Sequence, residues 1–126
     1  MPMKNSSNDF KKKFDKEIKT GLISLLVLIV IARNPKPSYG YQIIKKLETL
    51  SNGKFKFPEG TIYPVLSTLT VRGLLTSYWG DALEGPRRKY YKLTPEGKAA
   101  LKIILNDWLE VVNVTDIIIR SMGMEI

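Results

Sequence analysis

The sequence predicts a mainly α-helical fold with one small β-hairpin, organised as a single domain with a long helix at each end. Three observations predict it. Residues 22–32 (LISLLVLIVIA) are an apolar run long enough for a helix core. Ile62, Val65, Leu66 and Leu69 repeat at helical spacing and stop at Gly73. Two β-branched and aromatic stretches then flank a turn-rich segment from Gly80 to Pro86. At 126 residues, with 44% apolar and 25% charged side chains, the chain fits one globular domain.

Residues 1–8, rich in Asn and Ser, have little to bury and read as a disordered start. The domain proper spans 9–126. A first helix is expected over about 9–32, with Lys11, Lys12, Lys13, Lys16 and Lys19 in its front half and the apolar run behind. A helix apolar on every side must be enclosed by its own domain or by a second chain. The run is about half of the roughly 20 residues a membrane span requires, and Lys19 and Arg33 bracket it, so no membrane partner is expected. Pro35 and Pro37 end the helix.

Ser38 reads as the N-cap of a second helix over about 39–50, whose stripe is Ile43, Ile44, Leu47 and Leu50. Ser51-Asn52-Gly53 closes it, and Lys54-Phe55-Lys56-Phe57 makes a short extended link. A third helix is expected over about 59–72, with Pro64 placed in its first turn, where a missing N–H costs nothing. The hairpin spans about 74–93 with a loop of about seven residues. Thr94 caps, and Pro95 opens, a last helix over about 95–122. Leu101, Leu105, Trp108, Val112, Thr115, Ile119 and Met122 alternate steps of four and three along it, a heptad seam for side-by-side packing. Three helices followed by a hairpin make a winged helix-turn-helix, with the outer helices free for another task.

The composition excludes much chemistry. There is no cysteine and no histidine, which removes disulfides, thiolate nucleophiles, most zinc sites and the usual neutral-pH base. The twelve acids are scattered, with no phosphate loop and no metal-ligand cluster. We therefore expect no enzymatic activity, no metal and no cofactor. The absence of cysteine and of a cleavable leader suits a reducing cytoplasm. The net charge is +8, yet the stretch from Ile103 onward carries −3 and residues 1–102 carry +11. A basic body with an acidic last helix suggests that the body meets a polyanion.

In a helix-turn-helix the second helix of the pair enters the major groove with its N-terminal residues. Here that end offers Thr61, Tyr63 and Ser67, although Tyr63 could equally half-pack on the domain surface. On the wing, Arg87, Arg88 and Lys89 are consecutive bases suited to a phosphate backbone or a minor groove. Strand alternation sends neighbours to opposite faces, so not all three reach one partner. Of Tyr90 and Tyr91, one is expected in the core. Lys54 and Lys56 are further phosphate contacts by position.

Gly60-Thr61-Ile62-Tyr63-Pro64-Val65-Leu66 with Gly73-Leu74-Leu75 resembles the recognition helix of PadR-like transcriptional regulators. Tyr39-Gly40-Tyr41-Gln42-Ile43 resembles the start of their second helix, and the stretch from Gly85 to Gly97 (GPRRKYYKLTPEG) their wing and its exit. The resemblance covers about residues 20–110. It implies a sequence-specific regulator of double-stranded DNA, a repressor acting as a homodimer through its first and last helices. It adds Tyr39 and Tyr41 to the DNA contacts. Dimerisation would fall to Leu22, Leu25, Leu26 and Ile29 on the first helix, and to Leu101, Leu105, Trp108, Val112 and Ile119 on the last. Some family members stack flat aromatic compounds on a tryptophan of the last helix; Trp108 could do this for a small aromatic effector, or serve only in packing. A protein-interaction module without DNA binding remains the alternative, and a chromatin-like binder without sequence preference shares the same basic body.

Overall fold

The computed structural model describes residues 3–80 and 85–123. The elements are α1 (Met3–Arg33), β1 (Ser38–Tyr39), α2 (Gly40–Leu50), α3 (Glu59–Val71), β2 (Leu75–Trp79), β3 (Lys89–Leu93) and α4 (Pro95–Arg120). The three strands form one antiparallel sheet in the order β1-β3-β2. The fold is mainly α with a small sheet, as the sequence predicts.

Most boundaries fall within a residue or two of expectation; four features differ. First, α1 begins at Met3, so the residues from 3 to 8 continue the helix and are not a disordered start; Met1 and Pro2 lie outside the described residues. Second, Ser38 does not cap α2. It is buried in β1, pairs with Tyr91 and accepts a hydrogen bond from Asn34 Nδ2 at 3.0 Å. The N-cap is Tyr39, whose backbone N–H donates to Gln42 Oε1 at 3.2 Å. Third, Pro64 stands sixth in α3, beyond the first turn, so the Gly60 carbonyl receives no N–H from residue 64. Gly60 is exposed, and water can serve that carbonyl. Fourth, the hairpin connection runs from Gly80 to Arg88, longer than the expected Gly80–Pro86 loop; residues 81–84 of it lie outside the described ones.

The core sits where α1 crosses α2, α3 and β3. Ile23, Val27, Leu28, Val30 and Ile31 of α1 pack with Ile43, Ile44 and Leu47, with Ile62, Leu66 and Leu69, and with Leu75, Tyr91 and Leu93. The apolar back half of α1 is thus largely enclosed by its own domain. Leu25, expected at a subunit interface, is only 6% exposed in the single chain, so it offers little to a partner. Leu22, Leu26 and Ile29 are half-buried. Among the described residues no helix is long and apolar enough to cross a membrane.

Two helix ends close with the same backbone device. At the end of α2, Asn52 takes φ 54° and the Gly53 N–H donates to the Glu48 carbonyl at 2.8 Å. At the end of α3, Gly73 takes φ 80° and the Leu74 N–H donates to the Leu69 carbonyl at 3.0 Å. Both are Schellman closures, which satisfy carbonyls left over at a helix end. The second feeds the joint with α4. Thr94 Oγ1 donates to the Gly73 carbonyl at 2.6 Å and accepts from the Gly97 N–H at 2.9 Å. The Thr94 N–H donates to the Leu74 carbonyl at 3.1 Å. Gly97 is buried so tightly against that carbonyl that an added Cβ would collide with backbone. Gly97→Ala should therefore destabilise the domain by about 1–3 kcal/mol, read as a lower urea midpoint with an unchanged slope.

Candidate nucleic-acid interface

The exposed edge of α3 begins with an uncapped N-terminus. Pro58 occupies the N-cap position and has no side-chain cap to offer. The Thr61 and Ile62 N–H groups both donate to the Pro58 carbonyl, at 3.0 and 3.1 Å. The N–H groups ahead of them lie in the stretch that no intrahelical carbonyl can serve, which favours an anion. Ile62, Leu66 and Leu69 anchor the helix in the core. That leaves Thr61, Tyr63, Pro64 and Ser67 on the outside.

Tyr63 is both packed and exposed. Its ring lies against Gly40 at the start of α2, where an added Cβ would stand 2.5 Å from Cε1 and 2.8 Å from the hydroxyl oxygen. At 41% exposure it still presents part of one edge to solvent. Burial pushes the Tyr63 phenol above its ordinary value, with Glu59 adding to the effect. Burial raises the Tyr91 phenol as well, with Tyr63 contributing. Gly40 is therefore required where α3 meets α2: any larger residue would drive Tyr63 from its seat.

The wing divides its charges by strand alternation. Tyr39, Tyr78 and Tyr90 sit directly opposite one another on the outer face, Tyr90 edge-on to Tyr39 and stacked with Tyr78, with ring centroids 5.6 and 5.8 Å apart. Gly80 leaves room for the Tyr90 ring, which a Cβ would strike. Arg88 lies two residues before Tyr90, on the same face, and its guanidinium sits 4.3 Å from the Tyr39 ring centroid. Tyr91, Leu93 and Leu75 point the other way, into the core. Tyr91 is thus the core member of the tyrosine pair. Lys89 shares its face, at the wing tip. An exposed cation on a ring contributes about 0.5–1 kcal/mol, enough to bias a long side chain without fixing it.

The expected site residues are therefore partly gathered. Arg88 and Tyr39 are in contact, and Tyr63 adjoins the N-terminus of α2. Tyr41 is exposed on α2, and Lys45 stands 5.8 Å from its ring, a basic residue that the sequence reading missed. Thr61 and Ser67 are exposed, and among the described residues no side-chain hydrogen bond engages their hydroxyls. Lys54 and Lys56 are exposed beside the stacked Phe55–Phe57 pair. Trp79 was also missed. Its signal was its place at the strand end, across from the basic run.

A three-helix core, an exposed α3 and a basic, aromatic-backed wing form a winged helix-turn-helix. Residues 27–103, from the back half of α1 into the front of α4, match the transcriptional regulator PadR-like family.

The chain belongs to the PadR-like family of transcriptional regulators.

Its likeness to PadR-like proteins extends beyond the matched stretch. A Lysinibacillus sphaericus protein without an assigned function is 31% identical over 106 residues, which cover 84% of this chain and 95% of that protein. The X-ray structure of a PadR-like transcription factor from Bacteroides fragilis shares 29% identity, with a TM-score of 0.68. That alignment covers 84% of this chain and 98% of the other. A transcriptional regulator from Clostridium thermocellum shares 27% identity at a TM-score of 0.72, covering 79% of this chain and 92% of its own. A transcriptional regulator is thus the class of this PadR-like chain.

The two raised phenols give a pH dependence. Both are held neutral more firmly in the fold than in the unfolded chain, so their stabilisation is fully present below the unfolded value of 10.0. It is lost as pH rises through the higher folded values. In an absorbance titration of phenolate, Tyr63 and Tyr91 should ionise above the ordinary phenol value. Tyr91→Phe should delete one late-titrating group; an unchanged late fraction would contradict the assignment.

Proposed function

We propose that this chain is a homodimeric repressor that binds a specific double-stranded DNA site in the cytoplasm, without enzymatic activity. The observation that carries the reading is that the wing's Arg88 rests on Tyr39, whose neighbour Gly40 seats Tyr63 of the exposed, uncapped α3, while Lys89 lies on the opposite face of the wing. In this reading Thr61, Tyr63 and Ser67 enter the major groove. Tyr39, Tyr41 and Arg88 hold backbone phosphates from the tyrosine face. Arg87 and Lys89, which alternation turns away from that contact, reach a separate stretch of backbone from the other face, with Lys54 and Lys56 as outlying contacts. Because Tyr63 is pinned against Gly40, its hydroxyl can meet a base edge only from that fixed position.

The dimer reading rests on α4. Gly97 is its only buried residue among those described, so the heptad seam lies outside the domain core. Trp108, Val112 and Met122 are exposed, and Leu101, Leu105 and Ile119 are half-covered. On α1, Phe10, Phe14 and Ile18 are exposed as well. A monomer seldom leaves so much apolar surface in water. A second copy supplies the missing cover, through Leu22, Leu26 and Ile29 of α1 and the seam of α4. Trp108 packs in that interface, where it can also stack a small flat aromatic effector.

The test is a fluorescence-anisotropy titration with duplex DNA at several salt concentrations, on protein whose mass in solution is known. The expected result is a species of twice the chain mass, binding with a steep salt slope and with competition that differs among sequences. Arg88→Ala should weaken binding to every sequence and flatten the slope by about 1, as one lost phosphate contact requires. Trp108→Ala should shift the mass distribution toward monomer. A dimer indifferent to DNA at low salt would replace this reading with a protein-interaction module.

A further inference from the structure

Trp79 ends β2 directly opposite Lys89 and is 56% exposed. An indole of this size at a strand end gains little from burial there, so its position calls for another account. Two cations supply it. The Arg87 guanidinium lies 5.8 Å from the Trp79 ring and the Lys89 ammonium 5.9 Å, whereas Arg88, between them in sequence, turns to Tyr39 on the other face. Two like charges gathered around one ring repel each other, and two long side chains lose rotamer freedom there. The electron-rich ring face offsets part of both costs. A phosphate between the two cations would relieve the remaining repulsion.

We propose that Trp79 is a positioning residue of the wing, holding Arg87 and Lys89 together as a two-charge clamp for one stretch of DNA backbone. This rests on the DNA-binding reading above and adds to it a role for a side chain that touches neither base nor core. The wing then carries two separate basic contacts, Arg88 on the tyrosine face and the Trp79 clamp on the opposite face. Trp79 acts through the cations, so its loss shows chiefly in the electrostatic part of the affinity.

The chain has two tryptophans, Trp79 and Trp108, so protein labelled with 5-fluorotryptophan gives two fluorine resonances. The one that Trp79→Phe removes is that of Trp79. In free protein, the double variant Arg87→Gln, Lys89→Gln should shift this resonance and leave that of Trp108 in place. On duplex DNA, Trp79→Leu should bind roughly fivefold more weakly at moderate salt, with a salt slope shallower by about 1 to 2. Trp79→Phe, which keeps a ring face, should fall between Trp79→Leu and the parent protein, and thermal unfolding confirms that each variant is folded. A resonance that ignores the loss of both cations overturns the clamp. So does a folded Trp79→Leu protein that binds with the parental slope. Parent protein that binds no duplex overturns the DNA reading itself, and the clamp's role with it.

Discussion

The two-residue period of β3, held in the middle of the sheet, decides what the DNA-facing half of this molecule can present. Tyr91 and Leu93 turn inward and fasten the strand to α1 and α2 in the core. That leaves Arg88 and Tyr90 no choice but the outer face, and Lys89 the inner face at the tip, where the core has ended. A slip of one residue would bury Tyr90 and Lys92 and expose Tyr91. The three consecutive bases are therefore not one patch. They are two groups of opposite direction, each resting on its own aromatic side chain.

Much of this was legible in the sequence because the signals are local. Gly73, Thr94 and Pro95 mark helix ends by backbone chemistry that any context preserves, and the structure puts the boundaries there. The spacing of Ile62, Leu66 and Leu69 fixed one face of α3 and so, by subtraction, the face that carries Thr61 and Ser67. What was not legible depends on contacts distant along the chain. β1 is two residues long, too short to show a period, and exists because β3 offers it a partner. Ser38, a good cap by type, is drawn into that pairing, and the cap passes to Tyr39. The seat of Tyr63 against Gly40 joins two helices, and no pattern within either one encodes it.

The apolar run of α1 shows the same limit from the other side. Its hydropathy could be satisfied by its own domain or by a second chain, and composition does not separate the two. The structure assigns most of it inward, Leu25 included, because α1 is the one helix that α2, α3, α4 and β3 all touch. The unmet apolar surface lies at the front of α1 and along α4. The charges follow this division: lysines crowd the front of α1, while Asp107, Glu110 and Asp116 lie on α4.

The Thr94 joint has a mechanical consequence. Its hydroxyl ties the carbonyl that ends α3 to the first turn of α4, and Gly97 lets the two backbones touch with no side chain between them as a cushion. Beyond that fulcrum α4 runs for 26 residues, an arm of about 39 Å. A tilt of only 3° at the joint would sweep the far end through about 2 Å, a lever ratio set by the 1.5 Å rise per residue. Motion of the far end is geared down to a small, stiffly transmitted rotation where α3 ends and β2 begins.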